Sequence, residues 1–221
     1  MRNGREQVSQ VDRPIVVLGA GSWGTALAIQ LARTRPVTLW GHDPELMARL
    51  AEQRVNERYL PGIQFPDQVL INANLESSVR EAKDVLVVVP SHAFRSVLTA
   101  MQPYMVKDAR LIWATKGLES GSGKLLHEVA QEVLGDGVPI AVVSGPTFAR
   151  EVAEGLPTAV TVASADAQFA HDMAERLHSK TFRAYTSDDV IGVEVGGAVK
   201  NVLAIAAGIG ERGPLYGLLD R

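Results

Sequence analysis

The stretch from Pro14 to Gly24, PIVVLGAGSWG, decides the fold. Ile15 to Leu18 are apolar throughout, as in a central strand covered on both faces, and the run from Trp23 to Arg33 follows a helical period. Between them stand Gly19, Gly21 and Gly24 in the spacing Gly-x-Gly-x-x-Gly. Gly19 permits a tight turn, Gly21 lets backbone N–H groups approach a pyrophosphate, and Gly24 allows close packing of helix on strand. The helix N-terminus adds partial positive charge for phosphates. A lone glycine string is weak, and a turn without a ligand is the bland alternative. The strand–turn–helix context near the start of the chain weighs against it.

Working outward, further strand-like runs are Val37–Trp40, Val85–Val89, Arg110–Ala114, Ile140–Val143 and Ala159–Val162. Helical patterns lie between them at Glu45–Gln53, Gly123–Leu134 and Ala167–Leu177, with Asp166 as an N-cap. This alternation predicts an α/β fold, Rossmann-like, with a mostly parallel sheet and helices on both faces. Arg54–Asp67 carries two prolines and reads as a long loop. From Asp188 the character changes: Val190–Gly210 is rich in Ala, Gly and Val and reads as a buried helix that starts a second, all-helical region. The expected division is a polar tail (1–13), a dinucleotide-binding domain (14–187) and the start of a truncated helical substrate domain (188–221).

The 221 residues are 46% hydrophobic and carry 22 Lys+Arg against 25 Asp+Glu, a net charge of −3. That balance, with no block of like charge, leaves no electrostatic footprint for nucleic acid or an anionic membrane. The absence of cysteine removes disulfides, thiolate catalysis and zinc ribbons. It points most simply to the cytoplasm. Met1–Arg13 lacks the apolar core of a secretory signal, and no apolar run approaches the roughly 20 residues that cross a bilayer.

At the end of the second strand, where an acid would bond the ribose of NAD, stand Trp40, Gly41 and His42, with Asp43 coming late. No carboxylate is placed clearly against a 2′-phosphate, so NADP is read as accepted and NAD as allowed. Asp43-Pro44 reads equally well as a helix cap. Three clusters follow strands: Pro90-Ser91-His92, Thr115-Lys116-Gly117-Leu118-Glu119 and Ser144-Gly145-Pro146-Thr147-Phe148-Ala149. A lysine such as Lys116 is more often solvated, but convergence of these loops on the glycine motif favours function. In Gly196-Gly197-Ala198-Val199-Lys200-Asn201, Lys200 shares a helical face with both glycines. Burial among small apolar residues would lower its pKa towards the range of proton transfer; the alternative is a snorkelling surface lysine. His171 and His178 read as a solvated face, and no metal is expected.

Seven strings in series, GAGSWGTALA, LWGHDPE, NERYLPG, VVVPSH, WATKGLE, SGPTFAREVAEGLPTA and GVEVGGAVKN, run from Ile15 to about Gly210. Together they closely resemble the bacterial-type NAD(P)-dependent glycerol-3-phosphate dehydrogenase family. The resemblance implies an oxidoreductase that moves a hydride reversibly between NAD(P)H and dihydroxyacetone phosphate to give sn-glycerol 3-phosphate, feeding glycerophospholipid synthesis. It implies cofactor contacts at Gly19, Gly21, Ser22, Trp23, Gly24, His42, Lys116 and Ala149, and substrate contacts at Lys116, Gly145, Thr147, Lys200 and Asn201. Lys200 matches the family's proton acceptor. A small-molecule substrate is implied, no nucleic acid or membrane partner, and a homodimer is left open. The pattern fades after about Gly210, where family members continue into a helical domain. The chain is therefore expected to be C-terminally truncated, to bind cofactor and to turn over poorly. The competing readings are a non-catalytic NAD(P)-binding fragment or interaction module, and a related 3-hydroxy acid dehydrogenase, which would share the glycine motif but not WATKGLE and SGPTFA together.

Overall fold

The computed structural model describes residues 14–200. The glycine motif joins β1 (Ile15–Leu18) to α1 (Ser22–Ala32), and β2 (Val37–Trp40) and α2 (Pro44–Gln53) follow. The expected long loop instead forms an antiparallel hairpin of β3 (Val55–Asn56) and β4 (Leu60–Gln64). Its entry is set by Arg54, which caps α2 in a left-handed conformation at φ 58°. The chain continues through β5 (Val69–Asn72), α3 (Leu75–Arg80), β6 (Asp84–Val87), α4 (Ser91–Met101) and β7 (Arg110–Trp113). Then come α5 (Leu126–Leu134), β8 (Ile140–Ser144), α6 (Ala149–Glu154), β9 (Thr158–Ala163), α7 (Ala167–Leu177) and β10 (Phe182–Ser187). Residues 190–200 are helical.

Eight strands form one sheet in the order β10-β9-β8-β7-β6-β1-β2-β5. The six from β5 to β8 are parallel, while β9 runs antiparallel to β8 and parallel to β10. The order of those six is the doubly wound one, and it reverses between β1 and β6, where open sheets of this kind hold ligands. The pleat divides the core: Ile15, Val17, Leu86 and Ile112 point to one face, and Val16, Leu18, Val85, Val87, Leu111 and Trp113 to the other. Both faces are covered, which is why these runs are apolar without alternation.

Several elements differ from the sequence expectation for identifiable reasons. The helix expected from Gly123 begins at Leu126, because Gly121 and Gly123 take φ +93° and +71°, outside the right-handed helical region. β10 lies at the sheet edge, where Phe182 is buried but Arg183, Tyr185 and Thr186 are exposed, and so it lacks the continuous apolar run. Within α4, which the sequence expectation lacked, Phe94, Leu98 and Met101 are buried at helical spacing.

At the amino ends of β6 and β7, opposite the ligand end, a charged group is buried. The Arg110 guanidinium grips both oxygens of Asp84 at 2.7 and 3.0 Å and reaches Asp172 at 2.6 Å, while Arg176 donates to Asp84 at 2.8 Å. Arg110 also lies over the Phe169 ring at 4.3 Å. Every charge has a partner, so this cluster is a structural joint between the sheet and α7.

Candidate functional site

Two of the three motif glycines are demanded by the fold itself. A Cβ on Gly19, which holds φ +125°, would sit 2.2 Å from the Val88 carbonyl oxygen, and one on Gly24 would sit 1.8 Å from that of Gly19. A Cβ on Gly21 would meet nothing within 4 Å. Gly21 is the N-cap of the 11-residue α1, and no side chain caps it. The amino end of α1 is thus left open towards the cleft, with its N–H groups available to an anion.

The β3–β4 hairpin walls the cleft on one side. Buried Asn56 donates to the Ala20 carbonyl at 3.0 Å and to Thr25 Oγ1 at 2.8 Å, and Ser22 Oγ donates to the Tyr59 carbonyl at 2.6 Å. These bonds clamp the hairpin to the glycine turn. They enclose a space of about 310 Å³ bounded by Gly19, Gly21, His42, Asp43, Arg58, Tyr59 and Val88. The Asp43 carboxylate caps α2, accepting from the N–H groups of Glu45 and Leu46 at 3.1 Å each. The capping reading of Asp43 is therefore realised. Arg58 and Tyr59 were not picked out individually in the sequence, because a loop reading gave the hairpin no place beside the motif.

A neighbouring space of about 530 Å³ shares Gly21, Val88, Val89 and Pro90 with the first and brings together Ser22, Trp23, Gly24, Lys116, Thr147, Ala149 and Lys200. These residues stand just after β1, β7 and β8 or on helix 190–200, across 179 positions of sequence from Gly21 to Lys200. Two polar atoms on its wall, Trp23 Nε1 and Thr147 Oγ1, are buried without a hydrogen-bond partner among the described residues. Orphaned buried donors of this kind fit a polar ligand that supplies the missing bonds.

Lys116 donates to the Gly145 carbonyl at 3.3 Å and stands 5.9 Å from the centre of the Trp23 ring. Burial, and after it the charge of Lys200, pushes its pKa below the ordinary lysine value. Lys200 itself is exposed, so the burial expected for it belongs to Lys116. The reason lies in how helix 190–200 packs: Val190 and Val193 join the core, while Ile191, Val195 and Val199 on the other side are 55, 42 and 44% exposed. The expectation of a wholly buried helix is thus corrected for residues 190–200; the remainder to Gly210, and Asn201, lie outside the described residues. Nor do both glycines leave space beside Lys200. A Cβ on Gly197 would meet Ser144 Oγ at 2.7 Å, which is close approach of helix to strand, and only Gly196 is open. Gly145 borders a smaller recess of about 230 Å³ together with Lys200, and a Cβ there would sit 2.6 Å from the Ala159 carbonyl oxygen.

Two anchors hold the lysines. Glu119, three residues after Lys116, takes a two-pronged bond from Arg95 at 2.6 and 3.0 Å and a bond from Ser122 at 2.5 Å. These bonds, the Arg95 pair first, hold its carboxyl down at about 2. Arg95 also binds Glu132, which pairs with Lys124. Buried Glu194 fastens helix 190–200 to the start of α5, accepting from the His127 backbone N–H at 3.1 Å and meeting His127 Nδ1 at 2.5 Å. Burial raises the Glu194 pKa, against the pull of His127. A lone carboxylate in an otherwise apolar helix is the mark it leaves in the sequence.

The family model described as the NAD-dependent glycerol-3-phosphate dehydrogenase N-terminus matches residues 14–170. The chain belongs to that family. The model for the C-terminus of NAD-dependent glycerol-3-phosphate dehydrogenase matches residues 189–215. A glycerol-3-phosphate dehydrogenase (NAD(P)+) from Vibrio cholerae is 55% identical over 199 residues, covering 89% of this chain and 58% of the relative. One from Serratia proteamaculans is 53% identical over 206 residues, covering 92% and 61%. The crystal structure of glycerol-3-phosphate dehydrogenase from Coxiella burnetii superposes with a TM-score of 0.87 at 50% identity, covering 91% of this chain and 62% of that one. The chain thus spans about three-fifths of the length of these family members. Among its described residues no helix is long and apolar enough to cross a membrane.

Proposed function

We propose that this chain contributes the cofactor cleft and the reacting lysine of a glycerol-3-phosphate dehydrogenase that uses NADP or NAD, with dihydroxyacetone phosphate and sn-glycerol 3-phosphate as its substrate pair. The observation that carries this reading is the 530 Å³ space, where the open end of α1, the two orphaned donors and both lysines meet. Gly21, Ser22, Trp23, His42 and Ala149 would hold the cofactor, with Gly19 and Gly24 shaping the turn. The bound nicotinamide supplies the hydride or takes it up. The chain's own part is to manage charge on the substrate oxygen. Lys200, exposed to the cavity, gives a proton to the developing alkoxide at C2 and takes it back in the reverse direction. Lys116, half-buried, holds positive charge beside that oxygen, where low dielectric strengthens the attraction. Thr147 Oγ1 is a free hydroxyl for the substrate, and Gly145 keeps the turn narrow. The same reading includes Asn201 as a substrate contact, residues 14–187 and 188–221 as the two domain portions, and a cytoplasmic setting.

Titration with NADPH and NADH, followed by tryptophan fluorescence, tests the cofactor assignment. Saturable binding of at least one is expected, and absence of both overturns it. Oxidation of NADPH on addition of dihydroxyacetone phosphate, compared between the wild-type chain and Lys200→Met, tests the chemistry. Equal rates in the two would remove Lys200 from the mechanism.

A further inference from the structure

The far end of the cleft raises the question of which nicotinamide dinucleotide it suits. NAD-selective sheets present a free acid after the second strand to the ribose 2′-hydroxyl, whereas an arginine nearby receives the 2′-phosphate of NADP. Among the described residues, the only carboxylate bordering the cleft is Asp43, and it is engaged. One oxygen takes two backbone N–H bonds at the start of α2, and the other lies 3.9 Å from Arg58 Nη1. Those backbone bonds, that of Leu46 foremost, keep the carboxyl ionised, with Arg49 and Arg58 adding positive charge around it.

Arg58 stands in the turn between β3 and β4, its guanidinium 5.1 Å from the centre of the Tyr59 ring. The hairpin beneath it is pinned by Asn56 and by the Ser22–Tyr59 bond, so the turn is fixed relative to the glycine motif. A guanidinium has five donors in a planar fork, and the long contact to Asp43 leaves most of them available. We propose that Arg58 is the residue through which this chain binds the ribose 2′-phosphate of NADP(H), and that it sets a preference for the phosphorylated cofactor from the hairpin instead of from the end of β2. The fork matches a phosphate in two-pronged fashion. His42, which borders the same space, can add a donor, while Asp43 is offset by the helix end and the two arginines.

This inference rests on the cofactor reading above, and the experiment separates the two. The full chain and its Arg58→Gln and Arg58→Lys variants are titrated with NADPH, NADH, 2′,5′-ADP and 5′-AMP by calorimetry. Arg58→Gln should weaken NADPH and 2′,5′-ADP about tenfold or more, as loss of a charge-assisted bond does, and leave NADH and 5′-AMP within about twofold. Arg58→Lys should keep part of the difference, since it retains the charge without the fork. Equal weakening within both pairs, or no weakening, overturns the role of Arg58 while leaving the cofactor reading intact. A wild-type chain that gains nothing from the 2′-phosphate does the same. A wild-type chain that binds none of the four overturns both.

Discussion

Lys116 donates a hydrogen bond to the carbonyl of Gly145 at 3.3 Å, tying the end of β7 to the turn after β8. The contact holds a half-buried cation beside the space that Lys200 also borders.

Lys116 should feel the charge of its neighbour Lys200. Lys116 is shifted below its ordinary value of 10.5, first by burial and second by the Lys200 charge. Lys200→Met is expected to raise the Lys116 pKa part of the way back, because burial remains. The sign for stability follows: a folded value below the unfolded one means that the unfolded chain holds the proton more tightly between the two. Stability should therefore rise with pH across that window, and Lys116→Met should flatten the rise. Lysine Cε resonances followed through an alkaline titration check the first expectation, and an unchanged Lys116 pKa in the variant would count against the coupling.

The motif glycines should separate folding from binding. Gly24→Ala places a methyl against the Gly19 carbonyl and is expected to cost about 3 kcal/mol. Gly21→Ala meets open space and should cost under about 1 kcal/mol, yet weaken NADPH about tenfold by intruding where the pyrophosphate approaches. Denaturant unfolding and cofactor titration on the same samples decide it; equal stability losses in the two variants would refute the distinction.

The buried charge cluster should matter for the fold alone. Asp84→Ala leaves Arg110 and Arg176 without their shared carboxylate and is expected to destabilise by about 3–5 kcal/mol. Because the cluster sits at the amino ends of the strands, cofactor affinity below the melting temperature should change little. Differential scanning calorimetry and fluorescence titration together would expose any hidden link to the site.

Acid should loosen the Lys116 loop through Glu119. Its carboxyl is lowered from 4.5 to about 2, chiefly by Arg95. A depressed folded pKa gives stability that is present above the unfolded value and lost as pH falls from 4.5 towards about 2. Glu119→Gln should lose that part of the acid dependence and be less stable near neutrality. Melting temperatures measured through this window, in wild type and variant, provide the check.

Much of this was legible in the chain itself. Apolar runs such as Val85–Val87 and the spacing of Gly19, Gly21 and Gly24 have local meaning, because strand burial and turn geometry act over a few residues. Lys116, Thr147 and Lys200 could be picked out because each follows a recognisable local string. The β3–β4 hairpin was hidden by its prolines and charges, and β10 by its edge pattern.

What the sequence alone determined was the Rossmann-like α/β class with a mostly parallel sheet, the glycine turn and the family. Only the tertiary structure decided that Asp43 caps a helix, that Lys116 is half-buried beside Lys200, and that Arg58 borders the same cleft as His42. The physical reason is that burial and charge depend on distance in space. Lys116 meets Gly145 and feels Lys200 only once the ends of β7 and β8 and helix 190–200 are brought together.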